Sequence, residues 1–111
     1  MRRKLTVQFG NTEVDVDLDE WIELASASCK KEKAPGEFVD HAMTVARHAD
    51  GRIIIYGKDG SRDRFGGYIV PNGKDIGWIR RKISDAAEFY GLPMESAELC
   101  FAGCTNHPRA N

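Results

Sequence analysis

Residues 52–70 read RIIIYGKDGSRDRFGGYIV, and this stretch indicates the fold more clearly than any other part of the chain. Residues 52–56 contain three successive isoleucines and have the length of a short strand. The sequence GKDGS that follows is typical of a tight turn, and residues 64–70 return as a second strand. Gly66 and Gly67 interrupt this second strand, which predicts a bulge or a close approach of the backbone. We therefore predict a β-hairpin over residues 52–70.

A second hairpin and a helix are predicted on either side of this one. Apolar and polar residues alternate over 3–9 and again over 12–18, with the turn signal Gly10-Asn11 between them. On the other side, Asn72 with Asp75 three residues on is a helix start signal, and apolar residues at helical spacing predict a helix whose face runs from Ile76 to Tyr90. Gly91 and Pro93 end that helix.

The remaining segments complete an α+β prediction. Apolar residues at helical spacing predict two further helices over residues 20–31 and 36–48, separated by Ala34-Pro35-Gly36. Alternation over residues 97–101 predicts a last strand. The predicted order is β-β-α-α-β-β-α-β, in a single domain whose mainly antiparallel sheet carries the helices on one face. Residues 1–102 form that domain, and residues 103–111 form an irregular C-terminal tail.

Part of this order resembles a known arrangement. The sequence β-α-α-β-β-α over residues 12–90 is similar to that of KH-type RNA-binding domains. Such domains carry a Gly-x-x-Gly loop between their two helices, whereas residues 30–36 of this chain read KKEKAPG. The resemblance is one of element order only and implies no function or binding residue.

Composition excludes several classes of protein. The chain has 111 residues, with 16 Lys plus Arg against 17 Asp plus Glu, which gives a net charge of −1. This balance argues against a uniformly basic protein that coats nucleic acid. No stretch approaches the apolar run of about 20 residues that crosses a bilayer, so we expect no membrane association. Three cysteines and the lack of an apolar secretion segment at the N-terminus predict a cytoplasmic protein with reduced thiols.

The C-terminal residues contain a candidate set of zinc ligands. Cys100, Cys104 and His107 are closely spaced, and Cys29 is available as a fourth zinc ligand. Structural zinc sites usually show two recognisable ligand pairs, and here the second pair is a single cysteine. We therefore expect no metal or other cofactor, and keep this zinc set as the alternative.

Nucleophilic catalysis has no recognisable motif in the chain. It needs a Cys or Ser beside a base that a third group orients. The histidines available as bases are His41, His48 and His107, and the first two fall on one face of the predicted helix over residues 36–48. We interpret them as part of a polar helix surface, and expect the protein not to be an enzyme. Glycine-rich segments near residues 57 and 66 lack the context of a phosphate-binding loop.

Charge placement is the most informative functional signal. Six acids and no bases fall between Glu13 and Glu23, whereas residues 52–82 contain eight bases and three acids, a local charge of +5. Trp and Arg are the residues that dominate binding hot spots, and they also stack on bases. The predicted partner-binding residues on the basic hairpin and helix are Arg62, Arg64, Tyr68, Trp78, Arg80 and Arg81.

Two functions follow from this charge pattern, and a third stays open. We predict a small non-enzymatic interaction module, of regulator or inhibitor type, that binds a protein partner through a polarised charged surface. The alternative is nucleic-acid or nucleotide binding by the basic hairpin and helix. A small enzyme without a recognisable motif is the second alternative. Alternating strands also permit a homodimer through a sheet edge.

Overall fold

The computed structural model describes residues 4–9, 11–62 and 64–106. Within these ranges the chain forms six β-strands followed by two α-helices. Their bounds in chain order are β1 Lys4–Phe9, β2 Thr12–Asp17, β3 Trp21–Ala34, β4 Glu37–His48, β5 Ile53–Asp59, β6 Arg64–Val70, α1 Ile76–Phe89 and α2 Met94–Asn106. One turn of 3₁₀-helix, Leu18–Glu20, joins β2 to β3.

The α+β class, both predicted hairpins and the predicted helix over residues 76–90 are confirmed. The described strands form one sheet in the order β2-β1-β6-β5-β4-β3. Neighbouring strands are antiparallel except β1 and β6, which run parallel with Gln8 opposite Tyr68. The N-cap of α1 is Asp75 and not Asn72, because the carboxylate of Asp75 accepts the amide hydrogen of Trp78 over 2.8 Å, while the Asn72 side chain donates to the Asp50 carbonyl.

The predicted helices over residues 20–31 and 36–48 are wrong, since both segments belong to one long hairpin of β3 and β4. Small residues such as Ala25, Ala27 and Ala42 satisfy period-two spacing as well as helical spacing, so their pattern does not decide between strand and helix. Pairing of β4 with β5 along seven residues then favours the extended form. Gly36 takes a φ of 78° in the turn, the conformation that glycine allows after proline. The similarity to KH-type domains is lost with the two helices.

The predicted last strand over residues 97–101 is also wrong, because this segment lies inside α2. Ala97 and Cys100 are buried three residues apart on one helix face, while Leu99 between them is exposed. Residues 103–106, assigned to an irregular tail, continue the helix. Residues 107–111 lie outside the described part of the chain.

The sheet carries a hydrophobic core on each face. On one face, Met43, Val45 and Ile55 pack against buried residues of α1 and α2, so both helices lie on one side as expected. On the other face, Ala46, Ile54 and Ile69 pack with Val7 and Trp21, and apolar residues of the β1–β2 hairpin cover them. Because the helices leave β1 and β6 partly uncovered, a groove opens between α1 and these strands.

Candidate functional site

The rings of Tyr68 and Trp78, two of the predicted binding residues, both contact the same lysine. The Lys82 Nζ lies 5.1 Å from the centroid of the Tyr68 ring and 4.9 Å from that of Trp78. Lys74 approaches the same indole at 4.7 Å. Trp78 packs against the helix-side core, and its Nε1 is buried without a hydrogen-bond partner among the described residues. The indole therefore lies over the edge of the core beneath two lysines.

Two of the predicted arginines, Arg80 and Arg62, contact residues other than these rings. Arg80 lies toward α2, with its guanidinium carbon 5.0 Å from the centroid of the Phe101 ring. Arg62 is in the turn after β5, with 60% of its side chain exposed and a guanidinium nitrogen 4.0 Å from Asp59. Arg81 is exposed on α1, and Arg64 begins β6, with its side chain outside the described part.

A groove lies beside Tyr68, between α1 and the junction of β1 with β6, and its part along α1 is mainly apolar. Two adjoining depressions of about 310 Å³ and about 220 Å³ form it, and they share part of their lining. The shared residues are Gln8, Gly67, Phe89 and Tyr90. Its first part continues along α1, and its second part lies between the two strands.

A glycine, a tyrosine and two phenylalanines form the floor and rims of the groove. Gly66 has a φ of 147°, and a Cβ added to it meets no atom within 4 Å, so the floor there is open. Tyr90 lines both parts of the groove and donates its hydroxyl hydrogen to the Gly66 carbonyl over 2.8 Å. Phe65, 78% exposed, and Phe89, 49% exposed, stand at the groove. Exposed aromatic side chains around an open floor are typical of a binding surface.

The charges around the groove are mixed, and its outer side is acidic. Lys82 and Asp85 line the part along α1. Glu13 lines the other part and accepts a hydrogen bond from the Gln8 amide over 3.3 Å. Asp15 lies next to it along the same face of β2 and accepts from the Thr6 hydroxyl over 2.6 Å. The acidic segment predicted from the sequence thus begins at this groove.

The zinc set is not assembled among the described residues. No group of three His, Cys, Asp or Glu side chains in residues 4–9, 11–62 and 64–106 could hold a metal ion, and His107 lies beyond them. Cys100 is fully buried on the inner face of α2. Burial raises the pKa of the Cys100 thiol to about 11, and burial beside Cys100 raises that of Cys104 to about 11. Both thiols are therefore protonated at neutral pH.

A second cleft, of about 230 Å³, lies at the opposite end of the sheet between β2 and the start of β3. Trp21 forms its apolar wall, with the His48 ring edge-on at 5.0 Å and the Arg52 guanidinium at 5.2 Å. Asp50 holds both side chains, at 3.1 Å from His48 Nδ1 and 2.8 Å from Arg52 Nε. Hydrogen bonds from Arg52 lower the pKa of Asp50. These contacts fix the tight turn between β4 and β5 and leave few polar groups free to bind a ligand.

A buried polar network at the other end of β4 was missed by the sequence analysis. His41 was interpreted as part of a polar helix surface, but it is 2% exposed on β4, as is Asp59 on β5. His41 Nδ1 lies 2.7 Å from the carbonyl oxygen of Tyr90 and 3.3 Å from Asp59 Oδ1. Its Nε2 lies 3.0 Å from the hydroxyl of Ser61. The run Asp59-Gly60-Ser61 was read only as a turn, since its partner comes from a strand 20 residues away.

Comparison with protein-family models, curated proteins and solved structures finds no match to this chain. In the described part of the chain, no helix combines the length and the apolar character needed to cross a membrane.

Proposed function

We propose that this protein is a non-enzymatic interaction module, of regulator or inhibitor type, that binds a segment of a partner protein. The groove between α1 and the β1–β6 junction is the binding site. The observation that carries the proposal is the apolar groove itself, with the exposed rings of Phe65 and Phe89 beside its open floor. Large apolar residues rarely stand exposed around a concave surface unless a partner covers them.

The surroundings of the groove favour a particular kind of partner. Aromatic side chains at the rim provide anchoring area for an apolar or aromatic side chain of the partner. Glu13 and Asp15 follow the groove along β2, so basic residues next to that anchor are attracted electrostatically. The occupant we propose is therefore an exposed protein segment with an apolar anchor flanked by Lys or Arg.

Nucleic-acid binding is supported less well by the same groove. A phosphate backbone needs several cations along one surface. Lys82 lines the groove together with Asp85 and Glu13. Among the predicted arginines, Arg62 contacts Asp59 and Arg80 contacts Phe101, and neither of these partners lines the groove. Nucleic acid is therefore an outcome that the experiment has to distinguish.

The test is site-specific photo-crosslinking in the cells that express the protein. A benzoylphenylalanine in place of Phe65 or Phe89 is expected to crosslink one discrete protein. The same probe in place of Leu99, which is 59% exposed on α2, serves as the matched control and is expected to give no such product. Equal crosslinking from position 99, or a product that nuclease removes, contradicts the proposal.

Charge reversal tests the chemistry of the occupant. Glu13→Lys with Asp15→Lys is expected to reduce the crosslink yield from position 89, and more strongly at low salt, because exposed charges are screened by ions. Glu98→Lys, an exposed reversal on α2, is the control and is expected to leave the yield unchanged. An unchanged yield in the double variant contradicts a basic partner segment.

Two further expectations belong to this proposal. A homodimer through a sheet edge stays a prediction; β2 and β3 are the outer strands of the described sheet, and Lys30, Lys31 and Lys33 lie on β3, where charges discourage edge pairing. Light scattering at two protein concentrations tests it. The cytoplasmic location also stays a prediction, which rests on the cysteine content.

A further inference from the structure

We propose that Ser61 is an activated nucleophile that accepts acyl groups, with His41 as its general base. Three side chains from two strands and a turn supply the groups that such chemistry needs: the Ser61 hydroxyl, the His41 imidazole and the Asp59 carboxylate. This inference does not rest on the proposed groove, because none of these three side chains lines it.

The hydrogen-bond partners of His41 determine which nitrogen of its neutral ring carries the hydrogen. Both groups near Nδ1, the Tyr90 carbonyl at 2.7 Å and the Asp59 carboxylate at 3.3 Å, are acceptors. Nδ1 therefore carries the hydrogen, and Nε2 has a free lone pair. That lone pair lies 3.0 Å from the Ser61 oxygen, so the serine hydroxyl donates to it. This is the orientation in which a histidine can take a proton from a serine.

The carboxylate that supports the histidine is itself held in place. Asp59 Oδ1 accepts the backbone amide hydrogens of Ser61 over 2.9 Å and Arg62 over 3.2 Å. These bonds fix the turn that carries the nucleophile relative to the carboxylate. Because Asp59 and His41 are each 2% exposed, the ion pair that forms on proton transfer is shielded from water.

Access to the nucleophile is open, although its base is buried. Ser61 lies in an exposed turn, so a small acyl donor reaches its oxygen without entering the core. Arg62 follows it, with a guanidinium that is 60% exposed. A cation beside the nucleophile favours a donor that itself carries negative charge, such as an acyl phosphate.

The reaction conserves atoms and electrons without a further reactant. The Ser61 oxygen forms a bond to the acyl carbon while its proton moves to His41 Nε2. The bond between the acyl carbon and the leaving oxygen breaks, and this oxygen departs as an anion or takes the proton from Nε2. The product is an ester on Ser61, formed once per chain, so the step is a self-modification and not a catalytic turnover.

The first experiment uses p-nitrophenyl acetate and acetyl phosphate as separate probes on the full chain. We expect one acetyl group on Ser61, located by peptide mass spectrometry, and none on Ser28, an exposed serine on β3 without a histidine partner among its described contacts. Arg62→Ala is expected to slow labelling by acetyl phosphate more than labelling by the neutral ester. Absence of acetylation at Ser61 in the folded protein overturns the assignment, and equal slowing with both probes overturns the preference for a negatively charged donor.

The second experiment begins with variants that keep both His41 and Asp59. Ser61→Cys places a thiol beside His41, whereas Ser28→Cys places one on an exposed strand. A neighbouring imidazole raises the thiolate fraction, so iodoacetamide is expected to alkylate position 61 about tenfold faster at neutral pH. Adding His41→Gln, with folding checked by circular dichroism, is expected to remove the difference. Equal rates for the two single cysteine variants overturn the role of His41, whatever the stability of the His41→Gln protein.

Discussion

Tyr90 donates its hydroxyl hydrogen to the backbone carbonyl of Gly66 over 2.8 Å and so joins the end of α1 to β6. The same residue offers its own carbonyl oxygen to His41 Nδ1 at 2.7 Å. One residue thus connects the floor of the groove to the buried histidine network. Its side chain supports the proposed binding site, and its backbone supports the proposed nucleophile.

Tyr90→Phe is expected to destabilise the protein without changing its fold. The variant loses one partly buried hydrogen bond and leaves the Gly66 carbonyl without this donor, at a cost of about 1 kcal/mol in the free energy of unfolding. Urea denaturation followed by circular dichroism measures the difference. A Phe variant as stable as the parent would show that water replaces the phenol at no cost.

The stability that Tyr90 contributes is expected to decline at alkaline pH. Burial raises the pKa of Tyr90 from 10.0 to about 12, so the folded state favours the neutral phenol. The contribution is complete below pH 10, the value of the unfolded chain, and is lost as the pH rises toward 12. The measurement is the difference in unfolding free energy between the parent and Tyr90→Phe at several pH values. Both proteins contain Cys100 and Cys104, whose titration therefore cancels, and a difference that does not fall above pH 10 contradicts the prediction.

The confirmed elements were predictable because their patterns have one physical interpretation. In β1 and β2, apolar residues such as Val7 and Val14 alternate with polar ones, and no helix can bury such a set on one side. In α1, Ile83 and Ala87 recur at helical spacing after a capping aspartate. The local sequence pattern determines the secondary structure of these segments, and the tertiary contacts are consistent with it.

The long hairpin of β3 and β4 was not predictable on the same grounds. Its alternating positions hold Ala, Ser and Thr, residues whose size and polarity fit an exposed strand or a helix almost equally. The deciding term is pairing of β4 with β5, which joins Val45 to Ile55 and Ala46 to Ile54. Such pairing depends on tertiary contacts that a local window does not contain.

The candidate sites also depend on tertiary contacts that the local sequence does not reveal. The sequence assigned Tyr68 and Trp78 separately to the basic hairpin and helix, and did not predict that both rings contact Lys82. The groove beside them depends on where α1 ends against β6, a contact between residues 24 positions apart. The approach of Ser61 to His41 likewise requires the strand pairing that the predicted helices excluded.

Gly67→Ala is expected to destabilise the protein by about 1–3 kcal/mol, the usual cost of an added methyl group in a packed core. A Cβ at this position lies 2.8 Å from the Tyr56 Cβ and 2.9 Å from a Val7 methyl group. Gly77→Ala is the matched control, since a Cβ there meets only an Asp75 oxygen at 3.4 Å. In a helix this control is expected to be neutral or stabilising by up to about 1 kcal/mol. Thermal unfolding of both variants tests the packing of β6 against the hairpin, and equal effects contradict it.

Gly36→Ala separates the observed β3–β4 hairpin from the pair of helices suggested by the sequence. Gly36 has a φ of 78° in the turn after Pro35, a conformation that costs a residue with a Cβ about 1–2 kcal/mol. No atom lies within 4 Å of an added Cβ, so any loss of stability arises from the backbone alone. Gly36→Asn is the matched control and is expected to cost less, because asparagine tolerates left-handed backbone. If the segment were a break between helices, alanine would be the better residue, so a Gly36→Ala variant more stable than Gly36→Asn in urea denaturation would contradict the hairpin turn.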